Sequence, residues 1–199
     1  RRGKRELGAR YSDTLAQPVE SISGAVESLS VLGTATLSLI SHQKRRLGRV
    51  DLHRTIRNVV ETFRPFLEGR EVEVDLDLDS GSPFLRGSEA AVESIVTNFL
   101  NNSLTAFEEG GSDDRRIEIQ TRIEGDVLKM HVLDSGPGID GIGLKDIWLP
   151  GETTRPNGTG LGLAIVRDTV LDLGGAVDAE AKSTLGGARL TVELPLLGR

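Results

Sequence analysis

Three clusters in this sequence have residue types and spacings that could do chemistry. Asn98 and Asn102 stand four apart in a segment of helical pattern, so they share one face. A carboxamide oxygen is a hard ligand, so the pair could hold a magnesium ion and phosphate oxygens. Two buried asparagines that only bond backbone would look the same. Asp134-Ser-Gly136-Pro-Gly138 directly follows a strand pattern. A carboxylate there can accept from an exocyclic amine such as that of adenine. Asp, Gly and Pro also favour plain turns. Gly158-Thr-Gly160-Leu161-Gly162 opens a helical stretch. Glycines let backbone N–H groups approach an anion, and a helix N-terminus adds positive field. The loop has neither the Walker spacing nor the dinucleotide strand-turn-helix context.

These clusters need elements to position them. The chain from 51 to 199 supplies a regular set. Asp51 is placed to cap a helix through Ile56, Val59, Val60 and Phe63 to about Leu67, ended by Gly69. Residues 71–78 alternate strictly, which predicts a half-buried strand with an acidic outer face. Residues 84–86 predict a short strand and 89–107 a helix with Ala91, Ile95, Phe99, Leu100 and Leu104 apolar. Strands follow at 117–123 and 127–133 around a 124–126 hairpin turn. Residues 135–159 are Gly-rich and irregular. A helix from Gly160 to about Leu173 stops at Gly174-Gly175. Strands at 176–181 and 189–194 close the chain around Gly186-Gly187. The order predicts an α+β sandwich, a mixed sheet with helices on one face.

Residues 1–50 read differently. Leu7, Tyr11, Leu15, Val19, Ile22, Val26 and Leu29 form a stripe of coiled-coil spacing, and Leu37, Ile40 and Leu47 a shorter one. A helical hairpin or one bent helix is expected, with a narrow apolar stripe that must pair with a second copy or with the rest of the chain. Charge divides at the same place: nine Lys and Arg against four Asp and Glu in 1–50, fifteen against twenty-six in 51–199. The acidic bulk argues against a general nucleic-acid binder, and no nucleic-acid partner is expected.

The 199 residues hold no cysteine, which excludes a disulfide framework, thiolate zinc and a cysteine nucleophile. No apolar run is long enough to span a membrane, and the basic start lacks the apolar stretch of a signal peptide. A cytoplasmic setting is expected. The chain begins without Met, as a fragment of a longer protein would.

Together, in this order and on these elements, the clusters resemble the ATP-binding domain of the gyrase, heat-shock chaperone, histidine kinase and MutL superfamily, a Bergerat-type sandwich. Asn98 to Ala106 looks like its N box. Asp134 to Gly138 looks like the first glycine box. Ile147 to Arg155 looks like the lid's F box, and Gly158 to Gly162 like the second glycine box. The likeness covers about residues 50–197.

The resemblance implies ATP and Mg2+ as cofactors. Asp134 would bind the adenine amine, and Gly136 and Gly138 would shape its pocket. Asn102 would ligate magnesium, with Asn98 beside it. Gly158, Gly160, Leu161 and Gly162 would cradle phosphates. Thr154 and Arg155 would lie on the lid, with Arg155 reaching the terminal phosphate.

Hydrolysing members typically carry a glutamate as water-activating base where this chain has Asn98. A carboxamide cannot take that proton at neutral pH. The sequence therefore resembles the histidine kinase branch, a phosphotransferase of two-component signalling. That implies dimerisation through 1–50 and a response regulator or other acceptor protein as partner.

Such kinases carry a His-Glu-x-x-x-Pro acceptor. The local match is Asp13-Thr14-Leu-Ala-Gln-Pro18, with Asp where the histidine belongs. The acceptor is thus unassigned. His42 and His53 are the remaining candidates, and His131 reads as structural. A silent, nucleotide-gated interaction protein is the alternative, and a superfamily ATPase the third reading. Glu152 replaces the usual F-box Phe, and Ala188 replaces a Thr common near adenine.

Overall fold

The computed structural model describes residues 48–110, 114–155 and 158–197. All of them belong to one compact unit, 44–199. The helical stripes expected before residue 48, and Asp13 and His42 with them, lie outside the described residues.

Gly48–Asp51 is a strand, β1, where the sequence suggested only the end of a helical stem. It pairs antiparallel with β3, Phe84–Gly87. Four residues are too few to show a period. The partner that makes them a strand lies more than thirty positions away: Val50 is buried opposite Leu85, and the Arg49 guanidinium lies 3.7 Å from the centre of the Phe84 ring.

Helix α1, Leu52–Glu68, begins as expected, with the Asp51 carboxylate accepting from the Arg54 N–H at 3.0 Å. It buries Leu52, Ile56, Val59 and Leu67, with Val60 and Phe63 half-covered. Strand β2 is shorter than its alternation suggested, Glu73–Asp77. A turn in which Glu71 takes φ of 54° occupies the first positions, and Leu76 is exposed. β2 is an edge strand, so its inward face is only partly covered. Its charged outer side discourages further pairing.

The main sheet has the order β2-β4-β5-β7-β6, with β4 spanning Arg116–Glu124, β5 Val127–Asp134, β6 Ala176–Glu180 and β7 Arg189–Pro195. β2 runs parallel to β4 and the other pairs are antiparallel. The sheet is mixed, as expected. Ile117, Ile119, Leu128, Met130, Val192 and Leu194 point into one core with Ile95 and Phe99 of α2 (Glu89–Gly110) and Val166 and Val170 of α3 (Gly162–Asp172). The alternate residues Glu118, Gln120, Lys129 and His131 are only partly covered. The period of two thus separates a helix-covered face from a polar one.

Two ends of this sandwich matter. The β5 terminus delivers Asp134 beside α2. The N-terminus of α3 packs against the same helix.

Candidate functional site

The site is built on α2. Asn98 and Asn102 lie one turn apart on it, which is what their spacing predicts. The Asn98 Nδ2 donates to the Ser94 carbonyl at 2.7 Å, which fixes the amide with Oδ1 facing α3. A Cβ placed on Gly162 would stand 3.1 Å from that Oδ1 and 3.9 Å from Asn102 Oδ1. The first residue of α3 therefore abuts both amides, and the glycine sets how closely. Asn102 Nδ2 is buried without a hydrogen-bond partner in the protein. Leu161, the N-cap of α3, contributes no side-chain cap, so the first N–H groups of that helix have no side-chain acceptor.

The lid segment reaches the same place. A 3-10 turn at Asp146–Trp148 buries Ile147 and Trp148 and packs against α3. Gly160 takes φ of +62° and lies so close to Gly151 and Glu152 that a Cβ would stand 2.4 Å from the Gly151 carbonyl carbon. The Gly151 N–H donates to the Gly160 carbonyl at 3.1 Å, which clips the glycine loop to the F-box segment. Glu152 contributes backbone to this contact while its side chain is exposed. An aromatic ring is thus not needed there for the clip. Gly158 packs against Thr153, and its N–H donates to the Arg155 carbonyl at 3.1 Å. The Arg155 guanidinium donates to the Asn102 carbonyl at 3.2 Å. Thr154 stays exposed, its methyl group 3.8 Å from where a Cβ on Gly141 would stand.

Asp134 forms the other end. It is buried, and burial pushes its carboxyl above the usual carboxylate range. The N–H groups of Gly136 and Ala188 oppose this by donating to Oδ1 at 2.9 and 3.2 Å, as do the Ser103 hydroxyl and the charge of Arg155. Gly136 fits between Asp134 and the Ala106 methyl. Gly138 has φ of +82°, and a Cβ there would stand 2.4 Å from the Ala181 carbonyl oxygen.

The three clusters meet along α2, whose Asn98 and Asn102 abut the α3 terminus while Ala106 lies against Gly136 in the turn after Asp134. Two contributors escaped the sequence reading. Gly187 stood there only as a turn residue, yet a Cβ on it would meet Asp134 Oδ1 at 2.0 Å. The Ala188 N–H was also missed as a donor to Asp134. Only the β5–β7 pairing brings residues 187 and 188 to residue 134. A cavity of about 610 Å³ lined by Arg49, Phe84, Gly125 and Leu197 includes none of the site residues.

The two described histidines bond threonines of the sheet. His53 is buried, and its Nε2 lies 2.9 Å from Thr121 Oγ1. His131 Nδ1 lies 2.9 Å from Thr191 Oγ1. Burial lowers the pKa of both. His53, a candidate acceptor in the sequence, is a core residue. His131 is the structural residue it was read as.

Residues 87–198 match the family model described as histidine kinase-, DNA gyrase B-, and HSP90-like ATPase. The chain belongs to this family. Its sequence is 26% identical over 168 residues to the C4-dicarboxylate transport sensor protein DctB of Rhizobium meliloti, covering 84% of this chain and 27% of that one. It is 29% identical over 160 residues to the sensor histidine kinase ZraS of Escherichia coli O157:H7, covering 80% and 34%. The chain thus spans about a third or less of these relatives' length. The fold is that of the nucleotide-free catalytic domain of histidine kinase ThkA, with a TM-score of 0.66 at 23% identity, covering 75% of this chain and 95% of that one. This HATPase domain is an ATP-binding module of the kind sensor histidine kinases carry. Among its described residues no helix is long and apolar enough to cross a membrane.

Proposed function

We propose that the chain binds Mg-ATP between Asp134 and the N-terminus of α3 and transfers its terminal phosphate to a histidine. The observation that carries this reading is the contact of Gly162 with Asn98 and Asn102, which sets two amide oxygens against an uncapped helix terminus. Such a pairing suits a phosphate chain with its counter-ion.

The residues present fit magnesium. Asn98 keeps its oxygen free by spending its nitrogen on Ser94. Among the described residues no group of three or more His, Cys, Asp or Glu could cage a metal, so most ligands would be phosphate oxygens and water. Asn102 and Asn98 would hold the ion, which when bound neutralises charge developing on the transferred group. Asp134 would accept from the adenine amine, with Gly136 and Gly138 shaping the pocket around it. Gly158, Gly160, Leu161 and Gly162 would present N–H groups to the phosphates. Arg155 would leave the Asn102 carbonyl for the terminal phosphate, and Thr154 would move with it.

No carboxylate stands at position 98 to activate water, which favours transfer over hydrolysis. His53 is buried, so the acceptor lies on a partner or outside the described residues. Dimerisation through residues 1–50, magnesium dependence and a response-regulator partner belong to this proposal. A second reading, a nucleotide-gated interaction protein that transfers nothing, is favoured by one observation: Asp13 in the acceptor position.

Incubation with magnesium and terminally labelled ATP, alone and with a histidine-bearing helical hairpin of a sensor kinase, tests the two. Acid-labile label on either chain, absent in Asn102→Ala, supports transfer. Intact ATP binding with no label on either chain supports the switch.

A further inference from the structure

We propose that Lys182 is a positioning residue for the nucleotide site, whose ammonium group holds the Gly136–Gly138 turn through the Pro137 carbonyl. The proposal rests on the nucleotide reading above and adds to it a residue that acts without touching the nucleotide.

The turn after β5 needs such a hold. Two of its residues are glycines, which give up more conformational freedom on folding than any other residue, and Gly138 sits at φ of +82°. The backbone fixes its two ends. The Gly136 N–H donates to Asp134 Oδ1 at 2.9 Å, and the Ile139 N–H donates to the Ala181 carbonyl at 3.1 Å. Between them the Pro137 carbonyl accepts from Lys182 Nζ at 2.6 Å. Residues 181 and 182, just beyond β6, thus clasp the residues on either side of Gly138. Any residue at 181 offers a carbonyl, but the bond from 182 needs a long side chain with a donor at its tip.

The lysine stem takes part as well. A Cβ on Gly138 would stand 3.1 Å from Lys182 Cδ and 3.2 Å from Cε, so the stem lies along the space that glycine leaves bare. The Pro137 ring packs against the end of α2, where a Cβ on Gly110 would meet its Cδ at 2.9 Å. A charged donor makes the bond to the carbonyl stronger than a neutral one would, although the exposure of Lys182 screens it. Without that bond the turn spends less time in the binding conformation, and apparent affinity falls by the fraction lost.

Affinities for ATP and ADP, the melting temperature of the nucleotide-free protein and hydrogen exchange of the 135–139 amides test this in wild type, Lys182→Met and Lys182→Arg. Lys182→Met keeps an unbranched stem and removes the donor. It is expected to bind ATP and ADP more weakly by the same factor, because the turn serves the base that both share. That factor is about fivefold, the scale of one exposed hydrogen bond to a charged group. Exchange at 135–139 should quicken while the melting temperature holds. Lys182→Arg, which keeps a charged donor, should return both affinities to within about twofold of wild type. Unchanged affinity in Lys182→Met overturns the proposal. So does a loss larger for ATP than for ADP, which would make the ammonium a phosphate contact. A melting temperature that falls in step with affinity also overturns it, by making the bond a prop for the whole fold. All three leave the nucleotide site in place. Folded wild type that binds neither nucleotide would overturn the nucleotide reading and the proposal with it.

Discussion

The Asn98 amide oxygen lies 3.1 Å from where a Cβ on Gly162 would stand. Two residues sixty-four positions apart thus bring the N-terminus of α3 against the amide face of α2. Gly162→Ala should be neutral or slightly stabilising for the fold, because alanine is the better helix former by about 1 kcal/mol and the contact needs only a few tenths of an ångström of give. The give moves the amide oxygen. ATP affinity should therefore fall, by about tenfold or more, with the melting temperature unchanged or raised. Titration calorimetry beside thermal unfolding measures both.

Asp134 should separate stability from binding. Burial raises its pKa, so the folded state holds the proton more tightly than the unfolded chain. A group raised in this way contributes stability below its unfolded value, near 3.8, that is lost as pH rises through the folded value. Asp134→Asn removes that loss while keeping an oxygen for the Gly136 and Ala188 N–H groups. Denaturant unfolding at pH 4 and pH 7 should show wild type losing stability relative to Asp134→Asn between the two. ATP binding should be lost in the variant, because the amide no longer offers only acceptors.

His53 and His131 give the opposite slope. Burial, the largest cause, lowers both pKa values below the ordinary 6.5. Their contribution is complete above about pH 6.5 and lost as pH falls from there to the folded values, because the unfolded chain then binds more protons. His53→Gln should flatten part of this acid slope, and His53→Gln with His131→Gln more of it. Unfolding free energies at pH 5 and pH 7.5 measure it.

Gly138→Ala should cost both properties. Its φ of +82° disfavours any side chain, and the new Cβ would stand 2.4 Å from the Ala181 carbonyl oxygen, which accepts from the Ile139 N–H. A loss of about 2 kcal/mol is expected from conformation and contact together. Gly125→Ala, also at positive φ but with nothing within 4 Å, should cost less and leave ATP binding unchanged. Comparing the two separates local backbone strain from damage to the site.

Much of this fold was legible because the alternations in β4 and β5 and the Asp51 cap are local signals. What the sequence hid depends on pairing. β1 is a strand because of Leu85, and Leu76 is exposed because β2 is an edge. Gly187 and Ala188 join Asp134 where β7 begins, with no spacing to announce it.

The most direct test of the account is titration of wild type and Asp134→Ala with ATP in the presence of magnesium, with circular dichroism to verify that both are folded. The account predicts saturable binding by wild type and none by Asp134→Ala at the same concentrations. Equal binding by the two proteins, or no binding by folded wild type, would contradict it.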